Sequence, residues 1–160
     1  MDLETEFLKF EPTPKGSAKY DDNKDGFFLA GPPFEQVVSQ GSGTGAKVNR
    51  VTFLIKADRG QFDMFGVLAA NNSKKTTKVT HTSMFTVEGE RKELGKTTYE
   101  QITFVGADGI HTGGERYQNI SVTCTYVKKD RKASDYGEDG KALPSFLTKT
   151  DLSKGTIKGS

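Results

Sequence analysis

Cysteine occurs once in this sequence, at Cys124, and histidine only at His81 and His111. A lone thiol excludes an internal disulfide, and with two scattered histidines it does not make a structural zinc site. Tryptophan is absent, and no apolar run is long enough to span a membrane. The acidic opening, Met1-Asp-Leu-Glu-Thr-Glu6, is unlike the basic start of a secretory signal. We therefore expect cytoplasmic synthesis, with any export by a signal-peptide-independent route. Strong charge of either sign is also missing. A net charge of +2 is too small for the electrostatic footprint of a nucleic-acid binder. What charge there is lies unevenly: residues 1–40 hold four lysines against eight acids. Such an imbalance is compatible with head-to-tail contacts between copies, but most imbalances of this size carry no meaning.

What remains is a soluble-type composition, one third hydrophobic and 28% charged, organised as alternating strands. Residues 3–10 read as a strand stopped by Pro12 and Pro14, and 11–26 as a polar loop. Short extended runs follow at Phe27–Ala30 and Phe34–Ser39. From Lys47 to Ala57, Val51, Phe53 and Ile55 alternate with Arg50, Thr52 and Lys56, the pattern of a half-buried strand. A helix is predicted over 58–70. Asp58 is placed as its N-cap, Gln61 completes a capping box, and Phe62, Phe65 and Ala69 form an apolar stripe with Met64 and Leu68 beside it. So short a helix needs a sheet to pack on. Strands are then predicted over 78–87 and 97–105, joined by a charged loop from Glu88 to Gly95. In the next strand Ile120, Val122, Cys124 and Tyr126 alternate with Asn119, Ser121, Thr123 and Thr125. From Lys128 the apolar content drops to one cluster, Leu143-Pro-Ser-Phe-Leu147. The expected organisation is a domain over 1–127 and an extended basic tail over 128–160, with that cluster docked as an edge segment.

Three motifs invite chemistry, and each has a plainer reading. Gly41, Ser42, Gly43, Thr44 and Gly45, with Lys47 behind them, suggest a phosphate cradle. Such a cradle needs a strand before it and a helix after it, whereas this one precedes a strand, and Val48 stands where Ser or Thr is required. A flexible surface loop or assembly arm fits better. Asp21-Asp-Asn-Lys-Asp-Gly26 begins like a calcium loop, but its twelfth position is Pro32 and no helices flank it, so it reads as a solvated turn. His81 sits on an apolar strand face and reads as a core-edge residue, without an adjacent acid or nucleophile to suggest a triad. Cys124 reads as a small buried hydrophobe. Asn71-Asn-Ser73 and Asn119-Ile-Ser121 match the glycosylation pattern without a secretory signal to support it. The aromatics occupy core-type positions rather than a stacking surface beside basic residues. No catalytic, metal or cofactor-binding residue is assigned, and we expect a non-enzyme.

Several segments, in order, resemble the haemolysin-coregulated protein family, the inner-tube subunits of the type VI secretion system. Phe7-Leu-Lys-Phe10 looks like its opening strand. The stretch from Gly16-Ser17 through Asp22-Asn-Lys24 to Phe27-Phe-Leu29 is similar to its polar loop and second strand, with Asn23 in place of a usual His. Val37-Val-Ser-Gln40 and the glycine loop resemble the lead into its inter-ring loop. Phe53-Leu-Ile-Lys-Ala-Asp58 with Phe62 to Asn71 resembles its strand-then-helix signature, and Glu115 with Ile120-Ser-Val122 its late strand. The family's Trp-containing final strand has only Thr125-Tyr126 here. The resemblance implies a mainly β domain, two antiparallel sheets forming a barrel or sandwich with one flanking helix. It also implies a homo-hexameric ring, stacked rings inside a contractile sheath with a spike protein at the tip, effector cargo, and secretion on firing. Gly41 to Gly45 and Lys47 would then be the inter-ring arm, and Asp58, Gln61, Phe62, Phe65 and Leu68 the helix cap and packing face. The alternative is a monomeric β-sandwich or barrel that binds a small ligand or glycan. No cofactor, nucleic acid or membrane insertion is expected.

Overall fold

The computed structural model describes residues 3–12, 26–39, 47–57, 59–87, 89–109, 118–133, 136, 141, 143–151 and 156–159. Strands dominate because apolar and polar residues alternate through most of the chain, putting successive side chains on opposite faces of a pleated sheet. In order these are β1 (Leu3–Glu11), β2 (Gly26–Phe28), β3 (Phe34–Ser39), β4 (Lys47–Ala57), helix α1 (Arg59–Ala70), β5 (Lys78–Val87), β6 (Glu90–Glu100), β7 (Thr103–Gly109), β8 (Gln118–Tyr126), β9 (Lys128–Ala133), β10 (Phe146–Asp151) and β11 (Thr156–Gly159). They form a seven-stranded sheet in the order β11-β10-β9-β6-β5-β1-β2 and a four-stranded sheet in the order β3-β4-β8-β7. Every ladder is antiparallel.

Among the described residues the two sheets do not close on each other, so of barrel and sandwich the second describes the fold. Two corners tie them. At one, Leu29 bridges to Ile55, with Leu29 N–H donating to Glu6 O at 3.0 Å and Ala30 N–H to Leu54 O at 2.9 Å. At the other, a two-stranded ribbon changes sheets. β6 and β9 pair in the large sheet, then continue as β7 and β8 paired in the small one. Gln101, at φ 55°, makes the bend on one strand and Val127 on the other; Val127 N–H donates to Glu100 O at 3.2 Å.

Helix α1 packs mainly on β7. Phe65 is fully buried, with ring centroids 5.5 Å from Phe10, 5.8 Å from Phe27 and 5.9 Å from Phe104. Phe62, Met64 and Leu68 are partly buried against the same core, while Val67 is exposed on the far side. The helix stops in a Schellman motif: Ser73 N–H reaches Leu68 O at 2.9 Å, Asn72 N–H reaches Ala69 O at 3.1 Å, and Asn72 takes the left-handed conformation (φ 46°). Asparagine tolerates that backbone better than most L-residues, which is why the Asn pair ends the helix. Close packing against β7 also sets Gly109, where an added Cβ would lie 2.8 Å from the Phe62 ring.

Two expectations need correction. The stretch from Glu88 to Gly95 is not a loop: β6 starts at Glu90, directly opposite Val87. Gly89, at φ 80°, permits the tight hairpin, and the run of charges hid the strand because β6 is only partly covered there. The strand expected over 97–105 is interrupted at Gln101, where the chain passes from one sheet to the other. Beyond residue 127, β9 extends the large sheet without a break, and β10 and β11 follow outward, with Phe146 and Leu147 opening β10. The predicted spans of β3, β4 and β5 coincide with those observed, and α1 begins one residue later in the described chain.

Because Phe65 touches three elements at once, Phe65→Ala should destabilise the domain by about 3–5 kcal/mol in urea unfolding, the usual cost of truncating a buried aromatic. A loss near that of the exposed Val67→Ala control would show that the ring cluster is not the centre of the core.

Candidate functional site

The inward face of the large sheet changes character along its strands. Register places Phe10, Val79 and Tyr99 in one row, Leu8, His81 and Thr97 in the next, and Glu6, Ser83 and Gly95 in the third. On β9, Lys129 continues the first row and Arg131 the second. The apolar side chains lie where the small sheet and α1 cover them, and the polar ones line an uncovered cleft. Its opposite wall is the Pro32, Pro33 and Glu35 segment leading into β3, and the cavity volume is about 300 Å³.

Two hydrogen-bonded groups occupy it. Glu6 Oε2 accepts from His81 Nε2 and also from Ser83 Oγ, the latter at 2.7 Å. Glu35, on the small sheet, reaches across to the large one: Oε1 accepts from Tyr99 Oη at 2.6 Å and Oε2 from Lys129 Nζ at 2.6 Å. Lys129 Nζ also lies 5.9 Å from the centroid of the Tyr99 ring, and Tyr99 packs edge-on against Tyr126 at 5.0 Å. Glu35 is therefore a cross-sheet clasp. Its Tyr99 arm is shielded from water and its Lys129 arm partly so, with the Lys129 side chain 19% exposed.

Burial and Glu35 act together on the phenols. Burial first, then the hydrogen bond to Glu35 and its negative charge, push Tyr99 far above the ordinary tyrosine value. Tyr126 is pushed up to about 12, again by burial first and Glu35 second, with an opposing hydrogen bond from Asn49. Burial alone pushes the Cys124 thiol well up, which keeps it protonated and unreactive. The cleft has no activated nucleophile: Ser83 donates to Glu6, not to His81, so the imidazole is not placed to take its proton. Such an arrangement can hold and orient a ligand.

Of the described residues singled out in the sequence, His81 lines the cleft, and Lys47, Gln61, Phe62, Phe65 and Leu68 are not part of its lining. Gly41, Ser42, Gly43, Thr44 and Gly45 fall outside the described residues, as does Asp58; Lys47 opens β4 opposite Ser39. Gln61, 1% exposed, is buried with Phe65, and Phe62 and Leu68 pack beside them. His81 is buried at the core edge as read, but its acid partner, Glu6, was missed, as were Glu35, Tyr99, Lys129 and Arg131. The signals available were Glu6 and Glu35 on inward-facing strand positions, where an acid needs a partner.

No family model matches the chain, and no curated protein sequence does. Solved structures do match. A protein described as a type six secretion system protein aligns at 15% identity over 98% of this chain and 100% of its own, with a TM-score of 0.70. Hcp1 from Salmonella typhimurium aligns at 13% identity over 97% of this chain and 99% of its own, TM-score 0.68. The fold is that of Hcp proteins. Hcp3 from Pseudomonas aeruginosa, a secreted protein, extends the likeness at 13% identity over 99% of this chain and 97% of its own, TM-score 0.55. Both sheets and α1 thus fall within an Hcp-type architecture.

A raised phenol pKa means that the folded state retains protons the unfolded chain releases. The stability Tyr99 and Tyr126 contribute is full below about pH 10, the unfolded value, and is lost as pH rises toward about 12 and beyond. Near-ultraviolet absorbance titration should show Tyr99 and Tyr126 ionising only as the protein unfolds. Tyr99→Phe should reduce the late-ionising signal by one tyrosine. Five tyrosines titrating together near pH 10 in the folded protein would contradict the buried clasp.

Proposed function

We propose that this chain is a structural tube subunit of a type VI secretion or related contractile injection machine. The observation that carries the proposal is that the Hcp fold match runs through essentially the full length of this chain and of its structural neighbours. The reading has six copies closing into a ring and rings stacking into a tube within a sheath, below a spike. Secretion follows firing, and effectors occupy the lumen. The interior supports a structural role. Phe10, Phe27, Phe53, Phe65 and Phe104 are all fully buried and fill the core with packed rings, as a structural domain without catalytic machinery would. No helix among the described residues is long and apolar enough to cross a membrane.

Negative-stain images and light scattering of the concentrated protein should give ring-sized particles; a strictly monomeric species at high concentration would overturn the proposal. The glycine-rich segment is proposed as the arm that reaches the next ring, because three glycines in five residues contribute little packing and lose much entropy unless a partner orders them. Ser39 pairs with Lys47, so replacing Gln40 to Ala46 with Asn-Gly gives a two-residue hairpin that preserves β3 and β4. Rings should persist and stacking should weaken. A collapse of thermal stability would instead make the segment part of the core.

A further inference from the structure

The polar cleft holds, among the described residues, one cation without a direct carboxylate partner. Glu35 engages both carboxylate oxygens, with Tyr99 and Lys129, and Glu6 is engaged by His81 and Ser83. Arg131 lines the same cleft, and among the described residues no carboxylate pairs with it. It lies in register opposite Thr97, which is 8% exposed and belongs to the same wall. Across the gap stand Pro32 and Pro33, which bring no backbone N–H and offer a rigid apolar surface.

We propose that this cleft binds a ligand bearing a single carboxylate, held by Arg131, with its apolar part against Pro32 and Pro33. A guanidinium is a planar fork whose paired N–H groups match the two oxygens of a carboxylate. A single guanidinium without a direct ion-pair partner offers a docking point for one carboxylate. A phosphate dianion or a nucleic-acid backbone would add charge beside the Glu6 and Glu35 carboxylates, whose repulsion opposes it. The volume, about 300 Å³, is at the small end for ligand clefts and suits a few residues or a small acid. Two sources carry this chemistry: a free small acid and the C-terminus of a peptide. The site is separate from the tube proposal, since it needs only the folded chain.

Three probes test it on the full chain by NMR titration: acetyl-Ala-Ala with a free carboxyl group, the same dipeptide as its amide, and propionate. The free-acid dipeptide should bind saturably in the millimolar range and shift the amides of Gly95, Thr97 and Arg131, while the amide form should not bind. Arg131 is exposed, so Arg131→Gln keeps the fold; it should weaken binding by about tenfold or more, the loss expected for a charge-assisted hydrogen bond. Lys132→Gln, at the alternate position on β9, should leave binding unchanged. Propionate binding as tightly as the dipeptide identifies a free acid as the ligand class; markedly weaker propionate binding identifies a chain terminus. Absence of saturation, equal binding of the amide, or indifference to Arg131→Gln overturns the proposal.

Discussion

The contact on which the rest depends is the insertion of Phe65 among Phe10, Phe27 and Phe104. A helix of 12 residues has too few hydrogen bonds to hold itself in water, so α1 exists because one face finds a sheet. The sheets in turn need the helix, since β1, β2 and β7 each send a phenylalanine to the same point. Five pairs among these four rings have centroids within 6 Å, tilted or edge-on, and give dispersion and quadrupole contacts beyond simple area burial. Because side chains alternate along a strand, anchoring Phe10 and Phe104 fixes which residues of β1 and β7 face inward. The polar rows that line the cleft are set by that choice.

Much of this architecture was legible in the residues. The alternation through β4 and β8 is clear, with Leu54 the exception on the polar face of β4, and Val51, Phe53, Ile55, Ile120, Val122 and Cys124 are all fully buried. The Phe62, Phe65 and Leu68 stripe and the Asn71-Asn72 stop mark α1. The first part of β6 was not legible, because the charged run from Glu90 to Glu93 has no apolar alternation on a ribbon that is only partly covered. Nor was the switch of sheets at Gln101, which depends on a backbone conformation that glutamine does not advertise. The cleft was illegible for a further reason. Glu6, Glu35, His81, Tyr99 and Lys129 come from five strands, and only the register of both sheets brings them together. Spacing along the chain carries no trace of that.

Identities of 13–15% across a full-length fold match show how little of the sequence the architecture demands. What the fold requires of this chain is apolar residues at alternate strand positions and a few positions of special shape. Gly109, beneath the Phe62 ring, is one such position, and Asn72 at the helix stop is another. A fold held by so few constraints leaves its polar surfaces free to vary, and function is written on those surfaces.

The ribbon formed by β6–β7 and β8–β9 has a mechanical meaning. Sandwich sheets joined only by side-chain packing separate by shear, and the resistance is the sum of weak contacts. Here two covalent backbones cross the corner side by side, one at Gln101 and one at Val127. A load on the outer strands β9 to β11 therefore passes into the small sheet through main-chain bonds. Along β6 and β9 it is spread over the rungs of a six-residue ladder acting together, so no single hydrogen bond bears it first. A domain built this way transmits force as one body.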